Sequence, residues 1–158
     1  MRKSPRILFL DDNPERHKIF RARATSLQPH AEIAHVTTAK EAIKTLKGAE
    51  RFDTISLDYD LDMSSTLLEP ETFDPLEWIR FLKEREKESG LRVALFIARS
   101  ISDEKLPSWA IIHSVNVEGA ARMIKVLEKR ILRVEHKPFD QTYRQVRKGV
   151  EDSDFVYG

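Results

Sequence analysis

Acidic side chains and a histidine follow short apolar runs at several points of the sequence. Asp11 and Asp12 come directly after RILFL, Asp58 and Asp60 follow DTISL, and His113 follows WAII. Carboxylate oxygens are the ligands that Mg²⁺ prefers in proteins, and histidine is the side chain that ordinarily exchanges a proton near neutral pH. These residue types suit a divalent cation (Mg²⁺, or another such as Mn²⁺) together with acid–base chemistry on a phosphate group.

Two neutral hydrogen-bonding side chains and a cation accompany the acidic residues. Ser114 and Asn116 follow the apolar run within IIHSVN, and Lys137 stands within HKPF. Lys137 would offer a point charge to a non-bridging phosphate oxygen. Asn116 and the amides that open the following helix would hold an anion. Asn116 is equally suited to be the N-cap of that helix, and the two roles can coexist.

These side chains would meet only if strands and helices alternate along the chain. Short apolar runs, typical of strands buried on both faces, predict strands at 6–10, 32–36, 53–57, 109–113 and 131–134. Apolar residues at three-to-four spacing predict helices at 14–27, 38–46, 74–89, 117–130 and 140–149. The segment at 91–101 fits either a short helix or an extra strand, and its apolar spacing favours the helix. In the helix at 74–89 we expect Leu76, Trp78, Ile79 and Leu82 to face the core, and Gly90 to end it.

The alternation predicts an α/β fold, a doubly wound five-stranded parallel sheet flanked by helices in a three-layer sandwich. In such sheets the ligand site lies beyond the carboxyl ends of the strands, which is where the acidic residues and the histidine stand. We expect residues 1–158 to form a single domain. Insertions around 61–73 and 90–108 would shape the mouth of its pocket.

Composition excludes several classes of protein. The chain is 41% hydrophobic and 34% charged, which fits a soluble globular protein, and its net charge of +1 argues against strong non-specific binding to nucleic acid or membranes. It has no cysteine, so thiolate metal sites and disulfides are excluded. The apolar run near the N-terminus is too short for a signal peptide or a membrane span. We expect a cytoplasmic protein.

Three segments resemble the receiver domains of response regulators. ILFLDDN is similar to their first strand and acidic pair, FDTISLD to their third strand with its phosphoacceptor aspartate, and HKPF to their Lys-Pro signature. The resemblance implies that Asp11 and Asp12 hold Mg²⁺ and that Asp58 is the phosphoacceptor or a ligand. It also places Ser114 at the conserved hydroxyl and Lys137 against the phosphoryl oxygens.

A narrower resemblance rests on LDD, LDYDL and HSVNVEGA taken together. This combination is similar to the cyclic-phosphate processing receiver-like family, whereas ordinary receivers have no His-Ser-x-Asn after the fourth strand. It implies a metal-assisted phosphodiesterase that opens 2′,3′-cyclic RNA ends or cyclic nucleotide signals, so that the partner is a phosphate-containing small molecule or an RNA end. The implied catalytic residues are His113, Asp58 and Lys137, the phosphate-binding residues are Ser114, Asn116, Lys137 and Asp60, and the metal ligands are Asp11, Asp12 and Asp58. Two alternatives stay open, a phosphoacceptor receiver and a non-catalytic cyclic nucleotide sensor or sponge.

Overall fold

Strands and helices alternate in the computed structural model of the protein, which describes residues 3–48, 50–61 and 69–139. The strands are β1 (Arg6–Leu10), β2 (Glu32–Val36), β3 (Thr54–Leu57), β4 (Trp109–Ile112) and β5 (Arg133–His136). The helices are α1 (Pro14–Leu27), α2 (Ala39–Leu46), α3 (Pro75–Lys87), α4 (Gly90–Ser100) and α5 (Val117–Leu127). None of these helices is long and apolar enough to cross a membrane. The helix predicted at 140–149 lies outside the described residues.

The five strands form one parallel sheet in the order β2-β1-β3-β4-β5, so the predicted fold is confirmed. Successive side chains of β1 point to opposite faces of the sheet, as a strand requires. Leu8 and Leu10 belong to the larger apolar cluster, which also contains residues of α2, α4 and α5. Ile7 and Phe9 belong to a smaller cluster with Phe20 of α1. The sheet is therefore covered by helices on both faces.

The three central strands end level with one another. Leu10 of β1 is paired with Leu57 of β3, which is paired in turn with Ile112 of β4. The residue that follows each of these three emerges at the same edge of the sheet. Because side chains alternate along a strand, it also points to the face where Phe9 lies, which is the face that α1 covers.

The segment at 91–101 is confirmed as a helix, and it is the helix that covers the sheet between β3 and β4. The buried side chains of α4 are Leu91, Val93, Ala94 and Ile97. They belong to the larger apolar cluster. The structure therefore places this part of the predicted insertion at 90–108 in the core of the fold. Two helices, α3 and α4, lie between β3 and β4 in the sequence, and α3 is the additional one.

The predicted packing of α3 is wrong. Leu76 is 71% exposed, Ile79 50% and Leu82 49%, and the helix has no buried residue. Trp78 is half-buried, and its indole N–H donates to the carbonyl of Thr72, 2.8 Å away. Only one helix is needed to cover the sheet between two neighbouring parallel strands, and α4 is the more apolar of the two candidates. Helix α4 therefore covers the sheet there, and α3 lies outside the core.

Gly90 begins α4, whereas the sequence pattern predicts that it ends α3. Its N–H donates to the carbonyl of Tyr59, 3.0 Å away. A Cβ atom at this position would lie 1.9 Å from the carbonyl oxygen of Asp58. Only glycine allows α4 to start this close to the end of β3.

The last strand is two residues later than predicted. The backbone N–H of Ile131 donates to the carbonyl of Leu127, so Ile131 still belongs to the turn that ends α5. Its side chain is buried there, and Leu132 is fully exposed. The apolar run ILRV therefore straddles a turn, and β5 continues to His136. Lys137 consequently follows the strand directly.

Candidate phosphate and metal site

Asp11, Asp58 and His113 form a buried cluster at the carboxyl edge of the sheet. Each of the three offers one potential metal-ligating atom, and these atoms lie within 4.8 Å of one another. The exposed fractions are 0%, 2% and 3%, respectively. The three residues follow the level ends of β1, β3 and β4, so the strand register itself brings them together.

His113 is held on both sides of its ring. Its Nε2 atom lies 2.9 Å from Oδ2 of Asp11, and a carboxylate can only accept this hydrogen bond, so Nε2 carries the proton. Its Nδ1 atom lies 2.8 Å from the hydroxyl of Ser56. The ring stacks on Phe9 with centroids 4.8 Å apart. The imidazole is therefore fixed in the interior, and it reaches a ligand only by giving up one of its hydrogen bonds.

Arg16 of α1 supplies a positive charge that the sequence patterns did not single out. Its Nη1 atom lies 3.3 Å from Asp11 Oδ2 and 3.4 Å from Asp58 Oδ2, and its side chain is 25% exposed. The side chain of Asn13 accepts from the backbone N–H of Glu15 and so caps α1. This cap starts the helix directly after the acidic residues. Arg16 therefore stands on the first turn, within reach of both carboxylates.

Burial raises the pKa of Asp58 from its ordinary value of 3.8 to about 6. The neighbouring charge of Asp11 contributes to this rise, because two carboxylates at one site repel each other. Three interactions lower the pKa of Asp58 without cancelling this rise, namely the charge of His113, a hydrogen bond from the Ser114 hydroxyl and the charge of Arg16. Asp58 is therefore poorly stabilised as an anion in the absence of another cation.

The pKa of Asp11 is shifted in the opposite direction. Burial alone would raise it, but the hydrogen bond and charge of His113 outweigh burial, with help from the backbone N–H of Asn13 and from Arg16. The Asn13 N–H donates to Asp11 Oδ1 at 2.8 Å. Asp11 is thus the permanent anion of the pair, and Asp58 is the carboxyl whose charge responds to its surroundings.

Ser114, Asn116 and Asp60 form a second group beside the cluster. The Ser114 hydroxyl hydrogen-bonds the Asp58 carboxyl and accepts from the backbone N–H of Asn116 at 3.1 Å. The side-chain oxygen of Asn116 accepts from the N–H of Gly119 at 2.9 Å, so the predicted N-cap is confirmed. The amide nitrogen of Asn116 donates to the exposed carboxylate of Asp60, 3.2 Å away. Asn116 therefore serves as a cap and also ties α5 to the loop after β3.

Tyr59 of LDYDL packs against Gly119 of HSVNVEGA. A Cβ atom on Gly119 would lie 2.4 to 2.7 Å from ring atoms of Tyr59, so the ring lies directly against the helix backbone. The Tyr59 hydroxyl accepts from Arg122 at 3.5 Å. A cavity of about 230 Å³ opens at this place, with Arg85 and Asn116 among its lining residues. The two motifs thus build one wall of the site.

Two of the predicted residues, Asp12 and Lys137, are not members of the buried cluster. Asp12 follows Asp11 and is only partly buried. The ammonium of Lys137 lies 3.3 Å from Glu135 Oε2 and 5.3 Å from the ring centroid of Trp109. The side chain of Lys137 is thus directed back along β5. Its contact with a phosphoryl oxygen stays a prediction, and it requires the side chain to turn towards the strand ends.

Two further histidines extend the site towards the surface. His17 Nε2 lies 2.6 Å from the backbone oxygen of Asp11, and its Nδ1 lies 2.7 Å from Nδ1 of His35. Arg21 donates to His35 Nε2, so His35 must carry its proton on Nδ1 and donate it to His17. Burial and the charges of His17 and Arg21 lower the pKa of His35 to about 4. No sequence pattern predicts this pair, because the two residues lie 18 positions apart.

The donor chemistry of the cluster suits a hard divalent cation. Asp11 and Asp58 are buried carboxylates that repel each other, and the guanidinium of Arg16 is in contact with both. A cation between two such carboxylates removes their repulsion, and carboxylate oxygen is the ligand that Mg²⁺ prefers. Asp12 follows Asp11 directly and is the nearest further carboxylate in the sequence. The residues present therefore fit the acidic pocket that a Mg²⁺ ion requires.

The fold and the acidic pocket define a receiver domain of the response-regulator type. The chain is similar to the phosphorylated cyanobacterial phytochrome response regulator RcpA, with 18% identity over 94% of this chain and 92% of that one, and a TM-score of 0.59. It is similar to a response regulator receiver protein from Pseudomonas putida, with 17% identity over 94% and 99% and a TM-score of 0.56. It is also similar to a CheY-like response regulator receiver domain from Methylobacillus flagellatus, with 15% identity over 94% of this chain and 100% of that one, and a TM-score of 0.50.

The particular family is defined by sequence. Residues 6–129 match the cyclic-phosphate processing receiver domain, and the chain belongs to this family. The matched region contains β1 to α5 with Asp11, Asp58 and His113, and it stops before Lys137. No curated protein is similar to this chain in sequence.

Proposed function

We propose that this chain acts as a divalent-cation-dependent receiver in which Asp58 accepts a phosphoryl group. The observation that carries the proposal is the setting of the Asp58 carboxyl, which directly follows β3, lies beside Asp11 and is contacted by Ser114 and Arg16. An oxygen of Asp58 would form a bond to the phosphorus of a small phosphodonor. The bond from phosphorus to the leaving oxygen of the donor breaks, and an acyl phosphate results.

The roles of the surrounding residues follow from their contacts. Asp11 and Asp58, with Asp12, would hold the cation, which supplies positive charge against the phosphoryl oxygens. The hydroxyl of Ser114 and the guanidinium of Arg16 already point at the Asp58 carboxyl, so they are placed to donate to a phosphoryl group attached there. Such preorganised donors and charges provide most of the catalysis in phosphoryl transfer.

Labelling with a small phosphodonor tests this proposal. Acetyl phosphate with Mg²⁺ should add one phosphoryl group to the wild-type protein, measured by intact mass. Asp58→Asn should abolish the addition, whereas Asp60→Asn is the matched control because Asp60 is exposed and lies two residues further on. Labelling that persists in the Asp58 variant, or that requires Asp60 instead, contradicts the proposal.

A second candidate is the opening of cyclic phosphates, and two observations favour it. A plain phosphoryl switch does not require a histidine held between Asp11 and Ser56, and His113 occupies that position. It also does not require the 230 Å³ cavity, which Arg85 and Arg122 line together with Tyr59. In the reaction, a water oxygen would bond to phosphorus, one ring P–O bond would break, and the proton of the water would pass to the leaving oxygen. His113 is the group beside the acidic cluster with the chemistry to carry that proton.

A substrate panel separates the two candidates. Cyclic mono-, di- and oligonucleotides and RNA with a 2′,3′-cyclic phosphate end are incubated with the protein, with and without Mg²⁺, and analysed by mass spectrometry. Metal-dependent opening that stops in His113→Ala supports the phosphodiesterase. Binding without turnover supports a sensor or sponge. No binding and no turnover anywhere in the panel leaves only the phosphoacceptor.

A further inference from the structure

A second cavity lies between α2, α3 and α4, away from the acidic cluster. Its volume is about 620 Å³, which is within the range of pockets that hold small molecules. Asp11, Asp58 and His113 are not among its lining residues. Helix α3 forms one of its walls, and this helix buries no residue of its own. Helix α3 therefore contributes little to the core but shapes this cavity, which we call the basic groove.

The basic groove concentrates positive charge. Five of its lining side chains are cationic, namely Lys47, Lys83, Lys87, Arg92 and Arg99, and all five are exposed. Its single acidic side chain, Glu86, is paired at 2.7 Å with Arg122 outside the groove. Since the whole chain has a net charge of only +1, this excess is local. A groove of this kind favours a ligand with several negative charges.

Two of these cations have no competing partner in the part of the chain that the structure describes. Lys83 on α3 and Arg99 on α4 make neither an ion pair nor a hydrogen bond with another described residue. Lys87 is paired with Glu84 at 2.7 Å, but both side chains are largely exposed, where such a pair is weak. An anion in the groove would therefore displace little existing structure.

The inner surface of the basic groove is apolar. It is formed by Leu91 and Leu95 of α4, with Ile43 of α2 and the half-buried ring of Phe96. The ammonium of Lys47 lies 5.7 Å from the centroid of the Phe96 ring, so charge and aromatic surface are adjacent. A simple anion such as phosphate would leave this apolar surface unused. A ligand with a flat ring and a polyanionic end would use both.

We propose that the basic groove binds a nucleotide, with its phosphates on the lysines and arginines and its base against Phe96 and Leu95. The proposal does not depend on the chemistry at Asp58, because none of the residues that line the basic groove takes part in the proposed phosphoacceptor role. It also gives a reason for the additional helix α3, which supplies Lys83 and Lys87 to the groove.

Calorimetry with the 158-residue chain in EDTA tests the proposal. Without a divalent cation the acidic cluster repels phosphates, so only the basic groove should bind them. ATP should bind more tightly than tripolyphosphate, and adenosine more weakly than either. The double variant Lys83→Glu with Arg99→Glu should weaken ATP binding by at least about tenfold. Lys40→Glu with Lys129→Glu changes the net charge equally on exposed positions outside the groove and should leave binding within about twofold.

Phe96 separates a nucleotide site from a simple anion patch. Phe96→Ala should weaken ATP binding several-fold and leave tripolyphosphate binding unchanged, because only ATP has a base to lose its contact. Circular dichroism confirms that each variant is folded. The proposal is overturned by absence of ATP binding, by equal loss in both double variants, or by equal binding of ATP and tripolyphosphate. It is also overturned if a glutamate-rich peptide binds these residues more tightly than ATP, which would indicate a surface for an acidic protein.

Discussion

Nε2 of His113 lies 2.9 Å from Oδ2 of Asp11, and this hydrogen bond joins residues 102 positions apart at the ends of β4 and β1. Both side chains are almost completely buried. The bond keeps Asp11 charged inside the protein, and Asp11 in turn raises the pKa of Asp58. The pKa of Asp58, the proposed phosphoacceptor, therefore depends on His113, which need not contact the phosphoryl group.

Removing His113 should destabilise the fold. His113→Ala leaves the buried Asp11 carboxylate with one fewer donor and removes the ring that stacks on Phe9. We expect the free energy of unfolding to fall by about 3 kcal/mol, measured by urea denaturation at pH 7. His113→Gln, which keeps an N–H that can donate, should lose less. Equal losses in the two variants would show that the hydrogen bond to Asp11 is not what matters.

The raised pKa of Asp58 predicts how stability depends on pH. Between its unfolded pKa of 3.8 and its folded pKa of about 6, the native protein binds more protons than the unfolded chain, so this group makes stability fall as pH rises. Asp58→Asn removes the effect. Without divalent cations, we expect the variant to match the wild type near pH 4 and to exceed it by about 2 kcal/mol above pH 6.

Comparing Asp58→Asn with the wild type isolates the contribution of Asp58 to the pH dependence of stability. His35, with a pKa lowered to about 4, makes stability rise with pH between about 4 and 6.5, but it does so equally in both proteins. Urea midpoints from pH 4 to pH 8 give the difference directly. A constant offset at every pH would mean that Asp58 has an ordinary pKa in the folded protein.

Arg16 should compete with the divalent cation. Its guanidinium contacts both Asp11 and Asp58, so the cation must share or displace it. We expect Arg16→Ala to bind Mg²⁺ roughly three- to tenfold more tightly, and to be labelled more slowly by acetyl phosphate because a donor to the phosphoryl group is lost. Lys18→Ala, which removes an exposed cation two residues further along α1, is the matched control. Weaker Mg²⁺ binding in Arg16→Ala would show that Arg16 supports the metal site.

Gly119 should tolerate alanine only when Tyr59 is small. The Cβ atom of Gly119→Ala meets the Tyr59 ring at 2.4 Å, and we expect a loss of roughly 1 to 3 kcal/mol in the free energy of unfolding. In a Tyr59→Ala background the same change should be neutral or stabilising by up to about 1 kcal/mol, since alanine favours a helix. The double-mutant cycle is measured by urea denaturation, and additive effects would contradict direct contact.

Much of the site was predictable because strand ends in a parallel sheet converge. Asp11, Asp58 and His113 each follow an apolar run, and the register of β1, β3 and β4 places them side by side. The sequence also predicted the N-cap at Asn116, because this chemistry is local. What depends only on neighbours in the sequence or on strand order can be inferred without a structure.

Other features depended on side-chain direction or on competition between elements. Arg16 and Ser56 reach the cluster because of where α1 starts and which way β3 faces, and neither residue type is unusual at its position. Two helices competed to cover the sheet between β3 and β4, and the apolar spacing of α3 did not reveal that α4 would do so. Lys137 follows β5 as expected, but its side chain turns to Glu135.

Chemical identification of the phosphorylated residue tests the proposed role of Asp58 most directly. The wild-type protein is treated with acetyl phosphate and Mg²⁺ and then with borohydride, which reduces an acyl phosphate of aspartate to homoserine. Tandem mass spectrometry then locates the modified residue. We predict homoserine at position 58, dependent on Mg²⁺ and absent when acetyl phosphate is omitted. Homoserine at position 11, 12 or 60, or at no position while the protein is folded and binds Mg²⁺, would contradict the account.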